Sequence, residues 1–201
     1  RQTSAYAIII MNYYWISINN RKVSSIAYAP EGTPVAHELI HDVVGKSMLP
    51  FPLELHSATD KDYLGIGGVS DLFFDYQPNS LAWPIMSERM KTIIESHLSG
   101  GECIEWKSVQ IHGDKITRNY YIPCFMSYLD TLDVNQTVYA PISRVIIKPC
   151  FCRSKLENLA MFHGHNVFWQ ISTQIYVSEA IKKDLVKAGI NEISYSKINI
   201  Q

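Results

Sequence analysis

The 201-residue sequence predicts an α+β fold, and three observations carry that expectation. Two amphipathic stretches, about 87–98 and 178–188, begin at a Ser and end near Gly, as capped helices do. A third amphipathic run occupies about 34–44. Around these lie segments rich in Ile, Tyr and Phe, in an order that lacks the regular strand–helix–strand alternation of a parallel sheet. There is no internal repeat, low-complexity tract or long linker, so residues 1–201 are expected to form one compact domain of mostly antiparallel strands with three main helices.

In chain order, Ala5 to Asn19 alternates aromatics and Ile and reads as one long strand or two. Pro30-Glu31-Gly32 is turn chemistry, and Pro34 suits the first turn of a helix that Gly45 closes. Phe51 to Ser57 is expected to be extended. Gly65-Ile66-Gly67-Gly68 breaks the chain before a short strand at Leu72 to Tyr76. At the next helix Ser87 is the N-cap, Glu88 favours the positive first turn, and Met90, Ile93, Ile94 and Leu98 form one apolar stripe. Gly100-Gly101 ends that helix. Four strand-like runs follow, "CIEWKSVQI", "NYYIPCFM", "SRVIIKPCF" and "NVFWQIS". The last helix starts at Ser178, buries Ile181, Leu185 and Ala188, is capped by Gly189 and leads into a final strand, "NEISYSKINI".

Composition excludes several functional classes. With 47% apolar and 18% charged residues, the chain lacks the signature of disorder. A formal charge of -1 and no basic segment argue against a dedicated nucleic-acid binder; Lys182, Lys183 and Lys187 read as the solvated face of a helix. No run of about eighteen apolar residues is present to cross a membrane. Cys103, Cys124, Cys150 and Cys152 fit reduced, mostly buried thiols, so a cytoplasmic location is expected.

One stretch, Val35 to Gly45, spells H-E-x-x-H with His37, Glu38 and His41. Two histidines four apart on a helix face hold zinc in metallopeptidases, and the Glu activates the bound water. The setting argues otherwise. Gly45 falls one place late for the metzincin spacing, no N-E-x-x-E box surrounds Glu88 or Glu95, and His56 would be an unusual third ligand. At 100° per residue, Val35, Ala36, Leu39, Ile40, Val43 and Val44 fill one half of the helix, and His37, Glu38, His41 and Asp42 fill the other. That is the split of an ordinary surface helix. A zinc hydrolase built on these residues stays open as the alternative, and no metal or other cofactor is expected.

Cys150-Phe151-Cys152 and His163-Gly164-His165 are spaced as two strand-borne pairs that could form a Cys2His2 zinc site. The plainer reading is buried thiols beside a His-Gly-His turn. The glycines at 65, 67 and 68 have no following Lys-Ser/Thr, so they read as a turn rather than a phosphate loop. No G-x-S-x-G elbow exists. Tyr120, Tyr121, Phe168 and Trp169 read as core.

"WPIMSERMKTIIESHL", preceded by Asp71-Leu72, resembles the bacterial immunity protein eleven family of polymorphic-toxin and contact-dependent competition systems. "NYYIPCFMSYLDTLDV", "NVFWQI" and "IYVSEAIKKDLVKAGINEISY" resemble further parts of that family, so the likeness spans about Asp71 to Ile198. Glu192 departs from it, standing where members often carry Gly. The division this implies is a variable part over about 1–65, to which the family assigns no role, and a family-like part over about 66–201. The resemblance implies a non-catalytic inhibitor made beside a toxin, which binds the cognate effector domain and occludes its active site or a surface it needs. A partner of that kind could meet Glu38, Asp42, Asp60 and Asp62, the densest acidic stretch of the N-terminal third.

Overall fold

The computed structural model describes residues 11–29, 51–59, 69–166 and 169–201. Within them two antiparallel-rich sheets and two helices enclose a shared core, as expected of an α+β fold. The four-stranded sheet has β1 (Tyr13–Ile18) between β11 (Ile175–Ser178) and β12 (Ile193–Lys197), with β10 (Met161–His163) on the far side of β11. The six-stranded sheet runs β2 (Ser25–Tyr28), β3 (Leu53–Thr59), β6 (Ile104–His112), β7 (Thr117–Phe125), β5 (Ile85–Ser87), β4 (Tyr76–Gln77). Its β3–β6 pair is parallel, and every other ladder is antiparallel. A separate two-stranded arm consists of β8 (Val138–Tyr139) and β9 (Ile146–Lys148).

Strand alternation decides what each sheet face covers. On β11, Ile175 and Val177 join the central core, while Tyr176 turns to a second cluster with Tyr13, Phe151 and Phe162. On β7, Tyr120 and Ile122 face a third cluster with Leu55, Trp83 and Val109, and Phe125 faces the central core. Onto that core fold α1 (Glu88–Glu95), through buried Met90 and Ile94, and α3 (Glu179–Lys187), through buried Ile181 and Leu185. Each such side chain contributes about 1.5–3 kcal/mol by leaving water. A short α2 (Arg153–Leu156), not foreseen from the sequence, packs Leu156 into the second cluster.

The caps stand where the residues predict them. Ser87 accepts a hydrogen bond from the Met90 N–H and Ser178 one from the Ile181 N–H; Gly189, at φ +77°, follows the last turn of α3. Pro34 to Val44 lies outside the described residues.

Other expectations need correction. Leu72 to Phe74 is not a strand, because side chains occupy its backbone groups. The Ser25 and Ser57 hydroxyls donate to the Leu72 carbonyl, Tyr120 donates to that of Phe74, and the Phe74 N–H donates to Gln77. Trp169–Ile171 is a turn of 3-10 helix rather than part of a strand. In "SRVIIKPCF" only Ile146–Lys148 pairs as a strand. The β6–β7 turn requires Gly113: a Cβ there would stand 2.9 Å from the Ser70 carbonyl oxygen and closer still to Asp71 Oδ1. The same Asp71 carboxylate accepts from the N–H groups of Lys115 and Ile116, which fixes the hairpin.

Candidate functional site

The residues singled out for zinc or for an acidic interface, His37, Glu38, His41, Asp42, Asp60 and Asp62, lie outside the described residues. His56 stands on β3 beside His112 of β6, with ring centroids 5.4 Å apart. Among the described residues no three His, Cys, Asp or Glu side chains come together to hold a metal ion.

Cys150, Cys152, His163 and His165 are drawn into other work, and only His163 lies in a strand. Cys150 is buried and accepts from Asn199 Nδ2, and burial pushes its thiol up from the ordinary value. Cys152 is the N-cap of α2, and its thiol is lowered chiefly by a hydrogen bond with the Ser154 hydroxyl. Between them the Phe151 ring packs on Phe162 and Tyr176, with centroids 5.2 and 4.9 Å away.

The two histidines form a clip. His163 Nε2 accepts the Leu129 N–H at 2.9 Å, and His165 Nε2 accepts the Thr131 N–H at 3.3 Å. A ring nitrogen that accepts carries no proton, so both imidazoles are neutral. The other nitrogen of His163 lies 2.8 Å from the Gly164 carbonyl and donates to it. Burial lowers the pKa of both, and His165 is held down to about 4, with His163 adding to the effect. Trp169 packs on His163, and Tyr128 on both imidazoles, at centroid distances of 5.3 to 5.5 Å. The sequence signal was the H-x-H itself, but its partners lie 34 residues upstream in the chain, out of reach of local spacing.

The clipped segment forms one wall of a cleft of about 600 Å³, with Tyr128, Asp130 and His165 on one side. The other wall is the β8–β9 arm, through Arg144, Val145 and Ile147. Asp133 starts the arm by accepting from the Asn135 and Gln136 N–H groups. Thr137 fixes its base: its hydroxyl donates to the Cys150 carbonyl and accepts the Cys150 N–H. At the tip the Ala140 N–H donates to the Val145 carbonyl, and Arg144 takes φ +56°.

The segment "PIMSER" acts as a staple. Ser87 caps α1 and also donates to Asp75. Arg89 forms an ion pair with Asp75 and donates to the Ala188 carbonyl at the end of α3. Two buried carboxylates extend the network. Glu102, fully buried, accepts the N–H groups of Ser99, Gly100 and Ala160 and the Ser99 hydroxyl. Glu192 accepts the Tyr76 and Asn191 N–H groups and so ties the start of β12 to β4. The Glu192 side chain thereby closes the seam between the two sheets.

No curated protein matches the chain. The model of the Immunity protein family (Imm11) matches residues 68–199, which include the staple, the histidine clip and the arm. That match covers well over half of the sequence, and the chain therefore belongs to the Imm11 immunity protein family.

Proposed function

We propose that this chain is a non-catalytic inhibitor that binds a cognate toxin effector domain and neutralises it by occlusion. The family match over residues 68–199 carries the reading. Two features support it. Stapled sheets and helices make a stiff body, and binding to a stiff surface loses less side-chain and loop freedom. All four cysteines are free, which suits a reducing compartment and leads us to place the protein in the cytoplasm of the producing cell.

The test is protection and stoichiometry. The toxin effector domain that this reading places in the gene upstream of the chain's own is expressed from an inducible promoter, with and without the chain beside it. Rescue of growth, with toxin activity in vitro titrated to zero at one inhibitor per effector, is the expected result. Absence of rescue at matched expression would refute the inhibitor reading. Inhibition at far below one equivalent would refute occlusion and point to a catalytic mode.

A further inference from the structure

We infer that the β8–β9 arm is the toxin-docking surface, and that it fits a partner with an apolar depression rimmed by carboxylates. This inference rests on the toxin-neutralising reading above and assigns it a place on the molecule.

Five large apolar side chains crowd the arm in the open. Ile142 at its tip is 97% exposed, Val134, Val145 and Ile147 are each above 60%, and Val138 is 48%. Scattered single apolar residues are ordinary on a surface, but Ile142, Val145 and Ile147 gather at the tip and on one side of the strand that follows it, and such a group marks an interaction site. The arm's own strands pair only with each other among the described residues, so these side chains do not serve a larger sheet. A lone two-stranded hairpin is marginal in water, yet this one is held at its base by Asp133 and Thr137. A pre-shaped apolar tip loses little freedom on docking. Arg144, in the left-handed region, is a local strain of the kind kept where a surface is used.

Charge decides the partner's chemistry. From Asp133 to Lys148 the charged side chains are Asp133, whose carboxylate is taken up by the Asn135 and Gln136 N–H groups at the base, and Arg144 and Lys148, both exposed and both basic. Neither forms an ion pair among the described residues, whereas nearby Lys155 is paired with Asp130. Arg144 beside the apolar tip and Lys148 at the end of β9, without an ion-pair partner among the described residues, match carboxylates around an apolar pocket, and that complementarity speeds and orients association. A second copy of this chain presents the same two cations, so like charges would meet if arm packed on arm.

The experiment measures binding of the full chain to the upstream-encoded effector domain by titration calorimetry. Four proteins are compared: the natural chain, Ile142→Asp, the charge reversal Arg144→Glu/Lys148→Glu, and Glu38→Lys/Asp42→Lys. Thermal melts confirm folding, and Ile142, being almost wholly exposed, is the variant least able to perturb it. The expected result is at least a ~30-fold weaker Kd for each arm variant, the size of an interface hot spot, with the Glu38/Asp42 variant unchanged. Natural-level binding by both folded arm variants would overturn the arm assignment while leaving the inhibitor reading intact. So would loss of binding in the Glu38/Asp42 variant alone. If the natural chain itself failed to bind, the inhibitor reading would fall and the arm assignment with it. A natural chain that is dimeric by light scattering, made monomeric by Ile142→Asp with effector affinity unchanged, would reassign the arm to self-association.

Discussion

Acidification should weaken this protein through His163 and His165, and the size of the effect follows from the clip. Both imidazoles accept backbone N–H groups and are neutral in the fold, with burial as the first cause of their lowered pKa. Asp130 pulls His165 upward, while His163 and Lys155 push it down. In the unfolded chain each returns to the ordinary histidine value of about 6.5. The unfolded state therefore takes up protons first as pH falls. The stability is full above about 6.5 and is lost progressively as pH drops towards the folded value of about 4 for His165. Between about pH 7.5 and pH 5 His165 alone accounts for about 2 kcal/mol, and His163 adds in the same direction. For a chain of this length that is a fall in Tm of about 4–8 °C. The assay is urea unfolding across that range for the natural chain and for His163→Gln/His165→Gln, whose amide oxygens can still accept the two N–H groups. The rest of the chain is common to both proteins, so the difference between the two pH profiles reports on the clip. The double variant should show the flatter profile. Equal losses between pH 7.5 and 5 would refute the assignment of these histidines as neutral acceptors.

Other outcomes follow from the framework. Ser87→Ala removes the α1 cap and the bond to Asp75, and should lower unfolding free energy by about 1–2 kcal/mol in urea titration. Glu102→Ala leaves three backbone N–H groups near the α1–β6 turn without their acceptor, and should cost about 2–5 kcal/mol by the same measurement. If the H-E-x-x-H run is the polar half of a surface helix, metal analysis of the purified chain should find well below one zinc per molecule. His41→Ala should then leave the melting temperature within a degree or two, as surface substitutions do.

The features legible in the sequence are those whose physics is local. A cap involves residues three apart, so Ser87, Ser178 and Gly189 could be placed without knowing the fold. The runs that become β6 and β7 could be read as strands from their Ile, Tyr and Phe content, but their pairing into one long hairpin is seen only in the fold. Long-range partners leave no such trace. Leu72 to Phe74 has the composition of a strand, but hydroxyls and an amide from elsewhere satisfy its backbone. His163 and His165 resembled metal ligands because spacing shows what a side chain is, not which N–H it meets. The arm was hidden for a related reason: "SRVIIKPCF" reads as a strand, and only the fold shows that β9 pairs with β8 alone among the described residues and leaves Val145 and Ile147 exposed. Of the residues that carried the family resemblance, Ser87 and Arg89 prove to tie α1 to Asp75 and to the end of α3.

The central claim is that the chain neutralises a toxin by stoichiometric contact. Its most direct test is to mix the purified chain with the upstream-encoded effector domain, measure mass by light scattering, and assay the effector's activity on the same sample. The account predicts a complex of one chain with one effector whose activity is abolished. Two species that elute separately, with the effector fully active, would contradict it.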